Sequence, residues 1–201
     1  MDDDKIPDTR ERLLAAAERL FRTQGYSGTG LKALTAKAEA PWGSLYHFFP
    51  GGKEELGVEA LRYGGAIYAS GIRATFEHFG DPVEASARLF LGEAHILSSS
   101  DYRDGCPIAS TTLDIASTNE PLRLACAEVF ASWQDAIAAG LRAGGAPEDI
   151  AADLAGFILS TLEGAIVLAR AAKDPAPLLQ SARFIRQAVE LERSRWTGES
   201  R

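Results

Sequence analysis

The sequence predicts an all-α fold: a compact front module of three short helices, a long connector helix and a larger helical body. Three observations carry this. Apolar residues recur at helical spacing over most of the 201 residues, so each segment buries one stripe. Clusters of Gly, Pro, Asp and Asn punctuate that spacing between the segments. No stretch of useful length alternates apolar with polar residues, as a half-buried strand would. An apolar share of 46% and a charged share of 24% place the chain among globular proteins and exclude a disordered or fibrous one.

Asp8, followed three residues on by Glu11, reads as a capping-box start. Leu13, Leu14, Ala17, Leu20 and Phe21 then mark a helix of about 17 residues that Gly25 stops. After Ser27-Gly28-Thr29-Gly30 a short second helix carries Leu31, Leu34 and Ala38. Glu39-Ala40 makes a tight connection, and Pro41 suits the first turn of a third helix. Leu45 and Phe49 give that helix its inner side, and Pro50-Gly51-Gly52 ends it. The connector runs from Lys53 to Phe79, stopped by Gly80-Asp81-Pro82. Further helices are expected near 83–99, 108–117, 121–143, 147–172 and 176–195. This organisation suggests a front domain over 1–52 and a body over 53–201.

Net charge is −7, from 21 basic and 28 acidic side chains, but it is unevenly placed. Residues 1–4 carry −3, residues 5–53 carry +4, and residues 54–201 carry −8. A small basic front on an acidic body fits nucleic-acid contact at the front only. The start, Met1-Asp2-Asp3-Asp4-Lys5, is unlike a signal peptide and resembles an engineered protease-site remnant. The apolar stretch Leu154 to Ala172 is broken by Glu163 and Arg170 and reads as too short and too interrupted for a membrane span. With two cysteines only, Cys106 and Cys126, a disulfide scaffold is not expected. The chain reads as cytoplasmic, with no membrane partner.

The second and third helices, braced by the first, have the proportions of a helix-turn-helix. Spacing alone leaves a purely structural three-helix unit equally open. The residues decide further. Gly25-Tyr26-Ser27-Gly28-Thr29-Gly30-Leu31-Lys32-Ala33-Leu34-Thr35-Ala36-Lys37-Ala38, then Gly43-Ser44-Leu45-Tyr46-His47-Phe48-Phe49 and Lys53-Glu54-Glu55-Leu56, resemble the DNA-binding module of the tetracycline-repressor (TetR) family over residues 10–56. Gly105-Cys106-Pro107-Ile108-Ala109, Glu120-Pro121-Leu122-Arg123 and Trp133 resemble its LmrA-like, multidrug-resistance-type branch.

The resemblance implies a homodimer that represses transcription from a pseudo-palindromic operator in double-stranded DNA and leaves it when a small apolar or aromatic effector binds. It assigns phosphate contact to Thr29, Tyr46, His47 and Lys53, whose hydroxyl, imidazole and ammonium groups can donate to phosphate oxygens. It assigns groove or base-edge contact to Trp42, Gly43 and Ser44. Small residues let a helix sit deep in the major groove, and a serine can bond either base type. Three departures stand out: Glu39 where glycine is common, Pro41 and Trp42 where small polar and basic residues are common, and one extra residue in Pro50-Gly51-Gly52. Trp42 is open to two readings, groove contact or burial beside Leu45 and Phe49.

In the body, Tyr68, Phe90, His95, Cys106, Phe130, Trp133 and Phe157 are the candidate effector contacts, since a pocket needs apolar lining and a few polar groups. Ordinary core packing is the competing reading for each. The helices over 147–172 and 176–195 are the candidate dimer interface, with Phe157, Leu168, Leu178, Phe184, Ile185 and Leu191 as apolar surface. The three histidines lack metal-ligand spacing, and no nucleotide or nucleophile motif is present, so neither cofactor nor enzyme activity is expected. The alternative from another class is a helical small-molecule-binding protein or enzyme using Cys106 or His95, without a DNA role.

Overall fold

The computed structural model describes residues 8–196. The acidic Met1-to-Lys5 start therefore lies outside the described residues. Within them there are nine helices and no strand: α1 (Thr9–Gln24), α2 (Leu31–Lys37), α3 (Trp42–Phe48), α4 (Lys53–Phe79), α5 (Pro82–Ser99), α6 (Pro107–Ile115), α7 (Glu120–Ala143), α8 (Glu148–Ala172) and α9 (Ala176–Trp196). Helix ends follow the residues that favour them. Asp8 Oδ1 accepts from Glu11 N at 2.8 Å to open α1, and Gly25 closes it at φ +74°. Asp81 caps α5 through Val83 N at 3.1 Å, with Pro82 in the first turn. Asn119 Oδ1 accepts from Leu122 N at 3.0 Å at the start of α7, satisfying a donor the helix itself cannot.

The chain forms two compact units. The first runs through Gly65 and then takes in Pro107–Val129, so α6 and the first half of α7 belong with α1–α3. This differs from the sequence boundary at residue 52. The cause is long-range: α6 packs against α1, a pairing that local pattern does not reveal. Leu13, Ala17, Phe21, Leu34, Leu45, Phe49 and Leu56 of this unit are fully buried. The second unit comprises Ala66–Cys106 and the chain from Phe130 onward. There α9 lies against α5 and α8, around buried Phe90, Leu97, Ile158, Leu178, Ile185 and Val189.

Two sequence expectations change here. With 25 residues and a mean hydropathy of 1.7 in its most apolar window, α8 is long and apolar enough to cross a membrane. Its length therefore excludes nothing. It is instead packed on α5 and α9, with Ile158, Leu162 and Ala169 inside. Leu178 and Ile185 are core residues, not interface surface. The exposed apolar stripe on α8 and α9 is Phe157, Val167, Leu168, Leu179, Phe184 and Leu191.

Candidate functional site

The outward face of α3 is built by the residues that point inward. Leu45 and Phe49 are fully buried, and each anchors the short helix with about 2 kcal/mol of apolar transfer. Trp42 and Tyr46, one turn apart, are thereby left 49% and 48% exposed. Their rings meet edge-on at 6.3 Å. Trp42 thus faces solvent, and the reading that buried it is set aside. Gly43 and His47 are exposed beside them, and Ser44 is half-buried. A side chain added at Gly43 would meet nothing within 4 Å, so this face stands open. The turn into α3 holds Glu39 at φ +49°, a left-handed conformation costly for any residue with a Cβ. That explains the glycine common at this position in the resemblance.

Thr29 requires a correction. It is fully buried, and its hydroxyl donates to Gly25 O at 2.7 Å. The side chain closes the α1–α2 turn from inside and has no donor left for a phosphate. Lys53, at the start of α4, lies with its ammonium 4.3 Å from the Tyr26 ring centre. Burial lowers its pKa below the usual 10.5, and the Asp114 carboxylate acts against that fall. Gly52, at φ +71°, turns the chain from α3 into α4, so the extra residue of the Pro50-Gly51-Gly52 turn is absorbed by a left-handed glycine. Among the basic residues of the front, Lys32 and Lys37 are exposed, whereas Arg10 is paired with Glu59.

Helix α6 and the turn that follows it brace this unit through contacts the sequence did not reveal. Asp114 Oδ2 accepts from Ser27 N at 2.8 Å, and Asn119 Nδ2 donates to Glu54 Oε2 at 2.6 Å. At Gly57 a Cβ would stand 2.8 Å from the Tyr26 ring and 3.1 Å from Leu122. Glycine is what allows Tyr26 to lie against α4 there.

In the second unit, polar and aromatic side chains from four helices converge. Tyr68 on α4 stacks at a tilt on Trp133 of α7, ring centres 4.5 Å apart. Phe130 meets Trp133 edge-on at 5.7 Å. The Tyr68 phenol is pushed well above its ordinary pKa, first by burial, then by the charge of and hydrogen bond to Glu93 of α5. Glu163 of α8 is pushed from the ordinary 4.5 up to about 7 by burial, with the Cys106 thiol hydrogen-bonded to it and Glu93 adding repulsion. Its Oε2 is buried and has no hydrogen-bond partner, an arrangement proteins rarely leave unfilled. Four of the expected contacts, Tyr68, Cys106, Phe130 and Trp133, thus lie close together, with Glu93 and Glu163 among them. Two expectations are corrected: His95 is exposed on α5 and Phe157 is half-exposed on α8, both pointing away from a packed interior. Phe90 is fully buried as a core residue of the same unit.

Comparisons with known proteins bear on both sites. Residues 13–60 match the bacterial regulatory proteins of the tetR family. Residues 82–184 match the C-terminal domain of LmrA/YxaF-like transcriptional regulators. The chain is 40% identical over 178 residues to the uncharacterized HTH-type transcriptional regulator YxaF of Bacillus subtilis, covering 89% of this chain and 93% of that protein. It is 37% identical over 173 residues to the HTH-type transcriptional regulator LmrA of the same organism, covering 86% and 92%. Among solved structures, reduced Escherichia coli NemR superposes with a TM-score of 0.78 at 24% identity, covering 90% of this chain and 97% of that one. A cysteine mutant of CifR complexed with 26 bp double-strand operator DNA superposes with a TM-score of 0.76 at 26% identity, covering 91% and 99%.

Proposed function

Because the chain belongs to the TetR family of bacterial transcriptional regulators, with an LmrA/YxaF-like C-terminal domain, we propose that it is a cytoplasmic repressor released from its operator by a small effector. The observation that carries the reading is the open outer face of α3. Trp42 and Tyr46 are half-exposed on an anchor of buried Leu45 and Phe49. Trp42, Gly43 and Ser44 enter the major groove, with Tyr46, His47 and Lys53 on the flanking phosphates. Residues 1–52, together with Lys53 at the boundary, contact DNA; residues 53–201 bind the effector and pair the subunits, and no membrane is involved.

Two copies associate through the apolar stripe of α8 and α9, an isologous contact that buries Phe157, Leu168, Phe184 and Leu191. The two α3 helices of such a dimer meet successive major grooves of a pseudo-palindrome about one helical turn or more apart. The effector binds at Tyr68, Glu93, Phe130, Trp133 and Glu163. Tyr68 lies on α4, the same helix that begins with Lys53. An effector that favours one arrangement of α4 shifts the population of α3 spacings, so that both helices no longer fit one operator. A 100-fold loss of operator affinity requires about 2.7 kcal/mol of coupling, within the usual range.

The test is a gel shift of the full chain on the DNA upstream of its own reading frame, across salt concentrations. Each phosphate neutralised by a lysine adds about 0.9 to the magnitude of the log–log salt slope, so Lys53 alone contributes about −1.8 in a dimer. No shift at low salt, or a shift insensitive to salt, contradicts the reading.

A further inference from the structure

We propose, on the footing of that repressor reading, that the effector is an amphiphilic cation. An ammonium carried on an aromatic ring is held with its charge against Glu163 and Glu93 and its ring among Tyr68, Trp133 and Phe130. Three observations converge on this class. First, Glu163 Oε2 is buried without a hydrogen-bond partner, so the site contains an acceptor that no protein donor serves. An unserved buried acceptor is destabilising until a donor or a cation arrives.

Second, another acid stands near that carboxyl. Glu93 of α5 adds repulsion to Glu163 and bonds the Tyr68 phenol. The Cys106 thiol, in the segment before α6, hydrogen-bonds the Glu163 carboxyl. An anionic effector would meet two acids. A cation offsets the repulsion between them whenever both are ionised.

Third, the apolar part of the site is aromatic. The rings of Tyr68 and Trp133 lie 4.5 Å apart and Phe130 stands 5.7 Å from Trp133. Aromatic faces attract cations, indole most of all, and their edges and faces also accept a ring. Carboxylates and aromatic rings are the two groups that recognise an organic ammonium.

The experiment holds the ring constant and varies the head. Full-length protein is titrated by calorimetry with (1-naphthylmethyl)trimethylammonium, 1-naphthylmethanol and 1-naphthylacetate. The cation is expected to bind about tenfold or more tighter than the alcohol, and the carboxylate weakest, since each tenfold is a modest step beside the interaction of a desolvated charge pair. Glu163→Gln is expected to lose about tenfold or more of the cation affinity and to cost the alcohol far less, since a hydroxyl bonds a glutamine oxygen as well as a carboxylate. Glu93→Gln, which removes the second acid from another helix, gives an independent answer should the first variant fold poorly. Equal or tighter binding of the alcohol, no binding of the cation, or a cation affinity untouched by both variants overturns the proposal. A gel shift on the upstream DNA separates this from the reading beneath it. Protein that binds its operator but prefers the alcohol contradicts only the cationic effector, whereas protein that binds no operator contradicts the repressor.

Discussion

Replacing Glu163 by glutamine should stabilise the effector-free protein, and by an amount that depends on pH. In the fold the carboxyl titrates at about 7, against 4.5 for the ordinary group. The folded state thus binds this proton more tightly than the unfolded chain does, so stability falls as pH rises between those values. At about 1.4 kcal/mol for each tenfold change in proton affinity, the ionised carboxylate destabilises the fold by about 3 kcal/mol once pH exceeds 7. Glutamine keeps the shape and an acceptor for the Cys106 thiol but carries no charge. Its advantage should be about 3 kcal/mol at pH 8 and almost nothing at pH 4.5. In a chain of this size that corresponds to a melting-temperature gain of about 6–12 °C at the higher pH. Paired urea and thermal unfolding at pH 4.5, 6 and 8, at fixed protein concentration, measures it. A variant less stable than wild type at pH 8, or an advantage independent of pH, refutes the burial argument for Glu163.

Other perturbations separate the roles given to individual side chains. Lys53→Ala should weaken binding to every duplex about equally and reduce the salt slope by about 0.9 per subunit, whereas Ser44→Ala should change preference at one base position; competition gel shifts distinguish them. Glu39→Gly should gain about 1 kcal/mol by removing a Cβ from a left-handed turn, read as a rise of about 2–4 °C in melting temperature; a fall would mean that the Glu39 side chain supports the turn. Leu168→Glu, on the exposed stripe of α8, should convert the dimer to monomer in sedimentation analysis while leaving helicity unchanged, because it places two charges in the proposed apolar interface.

Helix boundaries were legible because the breakers are local. Asp8, Gly25, Asp81-Pro82 and Asn119 stop or cap a helix by chemistry confined to one turn. The α3 face was legible for a similar reason, except that periodicity could not say on which side Trp42 lay; the depth of Leu45 and Phe49 decided it. Thr29 misled because a hydroxyl ahead of a helix reads equally as a phosphate donor and as a turn bond. His95 and Phe157 misled because α5 and α8 are packed on more than one side, so an aromatic at helical spacing does not identify the inner face. Glu163 left one trace, a lone acid inside the most apolar stretch of the chain. Glu93 left none, since an acid between Gly92 and Ala94 on a helix is ordinarily solvated. The return of α6 to the front unit is a contact between distant segments, and nothing near Pro107 in sequence announces it.

The central claim is that the Trp42-to-His47 face of α3 lies in the major groove of a duplex. Dimethyl sulfate protection of guanine N7 on the upstream DNA tests it most directly, since that atom is reached only from the major groove. The expected result is two protected clusters on one side of the duplex, about one helical turn or more apart, both lost when (1-naphthylmethyl)trimethylammonium is added. Protein-bound DNA with its guanine N7 atoms still reactive at every position would show that α3 does not dock there.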